Sequence, residues 1–291
     1  MNKALVFLIF ILPLFLLGQT EGWKETCLTN NSADDRYASY SPDGNWIVFE
    51  SNRDGNWEIY LMDTAGENLK RLTNNPADDR RPTWHPNGGK VLFESNRNGT
   101  NQLYTIKIKS GKEQKLKGLV DSGEPIFAEF SPDGKHIAVS IQEAEQQGSI
   151  VLLDKKGRIL KKLVRNDYRN FYPKWSNNGK EIVFFSRKDT ENTDDEIYRL
   201  NLSTGIEKRL TQWPKHNFCP SWSGDSARIA YATSMEGSRP EIYIMNANGS
   251  NKTRITNNNN GETLPNWHPS QNKILVTAHR NGNYEICVLT Q

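Results

Sequence analysis

The sequence has few cysteines, few histidines and no long apolar run beyond its first eighteen positions. Three cysteines among 291 residues are too few for a disulfide scaffold, although they allow one bridge and one free thiol. Five histidines without zinc-type spacing predict no transition-metal centre. A glycine-rich phosphate loop and a Gly-x-Ser-x-Gly nucleophile turn are also missing. We therefore expect no cofactor, no metal site and no serine-hydrolase chemistry.

An excess of one charge is missing as well, because 37 Lys and Arg stand against 34 Asp and Glu, for a net charge of +3. No strong field therefore attracts nucleic acid or an acidic membrane. The apolar fraction of 35% excludes a bundle of membrane helices. The 8 Trp, 10 Tyr and 11 Phe exclude a disordered chain, so what remains is an ordered globular protein.

The first eighteen residues are typical of a secretory signal peptide. Lys3 supplies the positive start, and Ala4 to Leu17 is an apolar run that is short for a membrane span. Gly18 provides a small residue near the cleavage point. We expect residues 1–18 to be a signal peptide and the mature chain to be periplasmic or secreted, without a membrane span. A retained N-terminal anchor is the alternative.

An aromatic residue followed by a four-residue turn recurs six times, at spacings of 44, 46, 45, 47 and 45 residues. These six anchors are Tyr40, Trp84, Phe130, Trp175, Trp222 and Trp267. Each unit adds an apolar run, usually a polar tip, and a strand such as Glu58-Ile59-Tyr60, which together indicate four short strands. The pattern predicts an all-β fold, a six-bladed β-propeller of four-stranded blades that fills residues 19–291 as one domain. We expect the anchors to pack between neighbouring blades.

The last unit has no fourth strand at the C-terminus, and the missing strand is found at the N-terminus. The segment Glu25–Asn30 parallels Lys70–Asn74 of the first unit. We therefore expect this N-terminal strand to complete the last blade and to hide the sheet edges that an open ring would expose.

The same alignment places two cysteines opposite each other in the closing blade. Cys27 takes the position of Arg71, and Cys287 takes that of Tyr60. These positions lie at similar distances from the intervening turn, so their Cβ atoms should come close. The sequence therefore predicts a disulfide between Cys27 and Cys287, with Cys219 left as a lone thiol.

The Ser-Pro-Asp-Gly turn, the tip at Ser51–Gly55 and the Glu-Ile-Tyr strand together resemble the repeats of the TolB-type β-propeller family. The resemblance covers about Trp23 to Gln291. TolB of the Tol–Pal envelope system carries a mixed α/β domain ahead of its propeller, whereas here the first repeat follows the apolar run directly. We therefore expect a propeller without that N-terminal domain.

Loops that lead from one blade to the next should converge on one mouth of the central channel, four to six residues before each anchor. These positions mix acids, bases and aromatics, which favours a ligand site over a rim of local salt bridges. The predicted ligand-binding residues are Asp35, Arg36, Asp79, Arg80, Arg169, His216 and Glu262. Phe171 and Phe218 could stack on a sugar ring or an apolar side chain. The tips at 52–54 and 96–98 are a rival surface, which we expect on the other face.

The leading hypothesis is an exported, non-enzymatic propeller that binds an envelope protein, a peptide or a saccharide through this mouth. It assigns no catalytic residue. The alternative is a glycan-cleaving hydrolase or lyase with Asp35, Asp79 and Glu262 as candidate acid and base, two of which would have to stand about 5–9.5 Å apart. A structural spacer within a larger assembly is a third possibility.

Overall fold

The computed structural model describes residues 22–119, 123–144, 147–189, 194–212, 215–235, 237, 239–258 and 260–291, with only the backbone of Ala144. Within these ranges, twenty-four strands form six antiparallel sheets of four strands each. Each sheet is one blade. This confirms the predicted all-β, six-bladed propeller. No helix in the described part of the chain is long and apolar enough to cross a membrane.

The strands are short, and their bounds repeat from blade to blade. The first twelve strands are β1 (Lys24–Cys27), β2 (Asp35–Tyr40), β3 (Trp46–Ser51), β4 (Glu58–Asp63), β5 (Lys70–Arg71), β6 (Asp79–Trp84), β7 (Lys90–Ser95), β8 (Gln102–Lys107), β9 (Glu113–Lys115), β10 (Glu124–Phe130), β11 (His136–Ala144) and β12 (Gln147–Asp154). The others are β13 (Ile159–Val164), β14 (Asn170–Trp175), β15 (Glu181–Ser186), β16 (Glu196–Asn201), β17 (Glu207–Arg209), β18 (Asn217–Trp222), β19 (Arg228–Thr233), β20 (Glu241–Asn246), β21 (Thr253–Arg254), β22 (Glu262–Trp267), β23 (Lys273–Arg280) and β24 (Asn283–Thr290). The inner strands are β2, β6, β10, β14, β18 and β22.

The anchors pack between blades, as predicted. Trp84 lies in one cluster with Val48 and Ile59 of the first blade and Phe93 of its own. Its indole N–H donates to the carbonyl oxygen of Ser39 in the preceding blade at 3.0 Å. The other five anchors lie in five separate clusters of the same kind. Each anchor therefore helps to hold its blade against the one before it.

The turn after each anchor is built from local hydrogen bonds. In the first blade Gly44 has a φ of 75°, a conformation that favours glycine. Asp43 accepts the Ser41 hydroxyl at 2.5 Å and the Asn45 N–H at 3.1 Å. The hydrogen bond from Ser41 lowers the pKa of Asp43. A Cβ on Gly44 would lie within 2.5 Å of the His268 ring, so this turn is also where the last blade meets the first.

The N-terminal strand closes the ring, as predicted. β1 pairs antiparallel with β24, so that the last sheet has the order β1-β24-β23-β22. Cys27 stands directly opposite Cys287, and their sulfur atoms are bonded at 1.99 Å. Cys219 is a free, buried thiol.

The disulfide occupies a position that a tyrosine–arginine pair fills in other blades. Tyr60 stands opposite Arg71, and the same register recurs at Tyr198 with Arg209 and at Tyr243 with Arg254. There the arginine forms an ion pair with the glutamate two residues before the tyrosine, as Arg71 does with Glu58 at 2.8 Å. The recurring Glu-Ile-Tyr and Arg-Leu-Thr segments are therefore structural contacts between the two outer strands.

Each inner strand contains a bulge, three residues before its anchor, at a residue with a φ between 51° and 61°. These six residues are Tyr37, Arg81, Phe127, Tyr172, Cys219 and Leu264. Non-glycine residues adopt this conformation only where the surroundings impose it. The rings of Tyr37 and Phe127 stack at 6.2 Å although they belong to the first and third blades. We call these six residues the channel plug, since they lie at the same level of the ring and several contact one another across its centre.

Candidate functional site

The plug divides the channel into two mouths. At the N-terminal mouth the inner strands begin, and at the anchor mouth they end. All seven predicted ligand-binding residues lie in or directly before the first two positions of an inner strand, so the fold brings them to the N-terminal mouth.

The blade tips lie on this same face, so our expectation that they mark the other face is wrong. Asp35 pairs across β2 and β3 with Ser51, which directly precedes the first tip. Arg53 of that tip donates to Asp35 at 2.8 Å. The second and third strands are antiparallel, and their connecting tip therefore returns to the end at which the inner strand begins.

The three predicted carboxylates are fully buried, each against an arginine of its own blade. The pairs are Asp35 with Arg53 at 2.8 Å, Asp79 with Arg97 at 2.8 Å and Glu262 with Arg280 at 2.7 Å. Burial raises the pKa of Asp79 and of Glu262, and hydrogen bonds that include those from the arginines offset this only in part. A ligand reaches these groups only if the arginines move. Their direct part in binding, or in glycan cleavage, stays a prediction.

Two of the three predicted arginines lie over the same aromatic ring, that of Trp57. The guanidinium carbon of Arg36 lies 4.1 Å from the Tyr284 ring centroid and 5.1 Å from that of Trp57. Arg80 lies over the same Trp57 ring at 4.5 Å. The two arginine side chains are 28% and 30% exposed. This row of Tyr284, Arg36, Trp57 and Arg80 holds two cations at the surface in fixed orientations.

The three predicted arginines of this mouth lack some of their hydrogen-bond partners. Arg36 pairs with Asp34 at 2.6 Å, and Arg80 pairs more loosely with Glu50 at 3.4 Å. Arg169 has no ion pair with any described residue and lies over the Phe171 ring at 5.1 Å. The buried Nε of each of the three arginines finds no acceptor in the described ranges. The guanidinium groups themselves are partly exposed, and such groups around one opening suit a ligand that carries carboxylates.

His216 and the two phenylalanines differ in how far their side chains are exposed at this mouth. His216 is 43% exposed, and its Nδ1 lies 3.3 Å from Asp195. Phe171 is only 3% exposed, because it packs into the core below Arg169. Phe218 is half-buried. Of the two rings, Phe218 is therefore the one with surface left for stacking.

Sequence reasoning missed the two aromatic supports, Trp57 and Tyr284. Trp57 directly precedes β4 and Tyr284 is the second residue of β24, so both lie near the start of the third strand of a blade, next to the tips. The one signal that could have found them is their position, since Trp57 and Tyr284 occupy the same place in the first and last repeats.

The plug contains one charge, on the partly exposed Arg81, which pairs with the buried Glu94 at 2.6 Å. Glu94 is 1% exposed and also accepts the backbone N–H of Phe127 at 2.6 Å. Burial alone would lower the pKa of Arg81, but the charge of Glu94 and other acidic groups raises it, so the guanidinium stays charged. Burial also raises the pKa of Tyr37 and that of Cys219 to about 12 each.

Replacing Glu94 by Ala should therefore destabilise the propeller, because it removes both the partner of the Arg81 charge and the acceptor of the Phe127 backbone N–H. We expect the free energy of unfolding to fall by about 3 kcal/mol, measured by urea denaturation. The double variant R81M/E94Q should recover part of this loss. Glu143→Ala breaks an exposed pair with Lys162 and should cost less than about 1 kcal/mol. An equal loss of unfolding free energy in Glu94→Ala and Glu143→Ala would show that the Arg81–Glu94 pair stabilises the propeller no more than an exposed ion pair does.

The chain matches the TolB beta propeller domain family over residues 25–190 and 146–290. It belongs to this family. The two matched ranges together cover all six blades of the TolB-type propeller.

Its curated relatives are distant and longer than the matched regions. An uncharacterised protein of Agrobacterium fabrum is 27% identical over 150 residues, which are 52% of this chain and 50% of that protein. The Tol-Pal system protein TolB of Francisella tularensis subsp. mediasiatica is 33% identical over 117 residues, 40% of this chain and 26% of that one. The chain thus spans half or less of the length of these relatives.

Solved structures share the fold of this TolB-type propeller. TolB from Acinetobacter baumannii superposes with a TM-score of 0.68 at 19% identity, covering 89% of this chain and 64% of that one. An oligogalacturonate lyase from Vibrio parahaemolyticus gives a TM-score of 0.65 at 12% identity and covers 94% and 95% of the two chains. At these identities the likeness concerns the fold alone.

Proposed function

We propose that the protein is an exported TolB-type propeller that binds an acidic segment of an envelope protein at the N-terminal mouth. The observation that carries this proposal is a set of three partly exposed arginines, from the first, second and fourth blades, of which two share the Trp57 ring and the third, Arg169, has no ion pair with any described residue. Residues 1–18 would direct export, to the periplasm or beyond. The relative named as a Tol-Pal system protein belongs to a system of proteins, which favours a protein partner over a sugar.

Each arginine has a defined part in this proposal. Arg36 and Arg80, held by the Trp57 ring between them, would bind neighbouring carboxylates of the partner. Arg169 stands in the fourth blade, on the far side of the mouth, and would bind a third. An extended acidic segment that lies across the mouth can reach all three. Asp35, Asp79 and Glu262 would keep the loops in place, and His216 would border the segment.

Glycan cleavage is the weaker candidate. The oligogalacturonate lyase shares the fold, and the raised pKa values of Asp79 and Glu262 suit a general acid. Both carboxylates are fully buried and paired with arginines, so they would have to be uncovered before they could act.

The proposal is tested with a fluorescein-labelled glutamate-rich peptide, whose binding is followed by fluorescence anisotropy at low ionic strength. Arg80→Ala and Arg169→Ala should each weaken binding by about 1–3 kcal/mol, because each removes a charge-assisted hydrogen bond. Arg158→Ala is the control, since Arg158 is an exposed arginine on the turn after β12, on the opposite face. Equal affinity in all four proteins would contradict the proposal.

The same titration with oligogalacturonate distinguishes the two kinds of acidic ligand. Tighter binding of the saccharide than of the peptide, lost in Arg80→Ala, would replace the protein partner by an acidic glycan. Release of unsaturated products from the saccharide would instead support the enzyme.

A further inference from the structure

The anchor mouth contains a cavity that the proposed function does not use. Its volume is about 300 Å³, at the lower end of the range for ligand pockets. Its wall includes the residues that directly precede the six anchors, which are Ser39, Thr83, Glu129, Lys174, Ser221 and Asn266. The channel plug lies between this cavity and the N-terminal mouth, so the two sites are separate.

Glu129 and Lys174 are the charged residues of the wall, among the residues that the structure describes. Nζ of Lys174 lies 3.2 Å from Oε1 of Glu129 in the preceding blade. The other oxygen of Glu129 accepts the backbone N–H of Trp175 at 2.8 Å. The side chain of Lys174 is 13% exposed and that of Glu129 is 23% exposed. The pair is held in place, and the wall carries no net charge.

Several polar side chains around this cavity have N–H groups without a hydrogen-bond acceptor among the described residues. The indole N–H groups of Trp175 and Trp267 are buried, and no acceptor for either is found in the described part of the chain. At the same repeat position, Trp222 donates to the carbonyl oxygen of Lys174 at 3.2 Å. Asn266 uses its Oδ1 to accept the N–H of Tyr40 at 3.0 Å, and its amide NH₂ has no acceptor among the residues that the structure describes. Buried donors without partners call for an acceptor from a ligand or from water.

We propose that this cavity binds a neutral sugar of one or two rings. Sugar hydroxyls both donate and accept, so they can bond to the carboxylate of Glu129, to the ammonium group of Lys174 and to the free amide of Asn266 at once. A ligand with a net charge would instead compete with the ion pair, and breaking a largely buried pair is costly. The small volume excludes a longer polymer inside the cavity.

The experiment is isothermal titration calorimetry with glucose, galactose, N-acetylglucosamine, maltose and cellobiose at millimolar concentrations. At least one of these sugars should bind the wild-type protein. The double variant E129Q/K174M, which removes the pair without changing the net charge, should weaken that binding roughly tenfold or more. Ser39→Phe should abolish it by filling the cavity.

The matched control is E181Q/R199M, which removes another partly exposed ion pair, 3.5 Å long, that does not line the cavity. It should bind the sugar as the wild type does, and so should Arg80→Ala, which tests the proposed function independently. If E129Q/K174M does not fold, as judged by circular dichroism, the loss or retention of sugar binding in Ser39→Phe tests the proposal.

Three results would overturn the proposal. These are the failure of every sugar to bind the wild type, unchanged binding in both cavity variants, and binding of free glycine in preference to the sugars. The last would assign the Glu129–Lys174 pair to a zwitterion instead.

Discussion

Removal of residues 23–30 is expected to lower the melting temperature of the chain from residue 19 onward by more than about 10 °C. The deletion removes β1, and with it the four residue pairs that join β1 to β24. It also removes Thr29, whose hydroxyl accepts the N–H of Ile286 at 2.9 Å and donates to Glu285 at 2.5 Å. The disulfide contributes about 5 kcal/mol and each of these hydrogen bonds about 1 kcal/mol more, a large part of the stability of a domain.

Differential scanning calorimetry measures this effect. The comparison protein retains residues 23–30 and carries Cys27→Ser and Cys287→Ser, which separates the strand from the disulfide. It should melt between the full chain and the truncated one. A truncated protein that melts at the temperature of the full chain would show that the ring closes without β1.

Loss of the disulfide alone is expected to lower the free energy of unfolding by about 5 kcal/mol. The bond joins residues 260 positions apart, so it restricts nearly the whole unfolded chain. Urea denaturation of C27S/C287S beside the oxidised wild type measures the difference. The wild type in a reducing agent should behave like the double variant, and the double variant should not respond to the reductant. Mass spectrometry that finds both thiols free in exported protein would rule out the bond in the natural setting.

The blade count and the closure of the ring could be predicted because equivalent positions in the blades make the same contacts and therefore carry similar residue types. The turn needs its glycine, the second strand must be apolar on both faces, and the outer strands need the contact that Glu58 makes with Arg71. Such constraints leave a repeat that is visible in one sequence. The cysteine pair was predictable for the same reason, since Cys27 and Cys287 replace residues that face each other elsewhere.

The roles of the residues at the N-terminal mouth could not be predicted as well. Sequence shows the charge of Asp35, Asp79 and Glu262 but not their burial. The residue type at this repeat position differs from blade to blade, and such variation indicates a ligand site rather than a structural contact. In the fourth blade, however, Asn170 takes the same place, and its Oδ1 accepts the hydroxyl of Ser186 in the same blade at 2.9 Å. Short polar side chains of different kinds can thus hold equivalent loops, because any of them can hydrogen-bond within its own blade.

The cavity at the anchor mouth left no signal in the sequence. Residues such as Ser39, Thr83 and Ser221 are unremarkable one at a time, and each comes from a different blade. Glu129 and Lys174 are 45 positions apart and meet only when the third and fourth blades pack together. A site assembled from six repeats becomes visible only once the ring is closed.

Whether the N-terminal mouth holds an acidic partner is decided by a protein that lacks all three of its arginines, R36A/R80A/R169A. Its affinity for the fluorescein-labelled glutamate-rich peptide is compared with that of the wild type and of Arg158→Ala, once calorimetry has shown that all three proteins are folded. We expect binding to the triple variant to be lost and binding to Arg158→Ala to be unchanged. Wild-type affinity in the folded triple variant would contradict a binding site at this mouth.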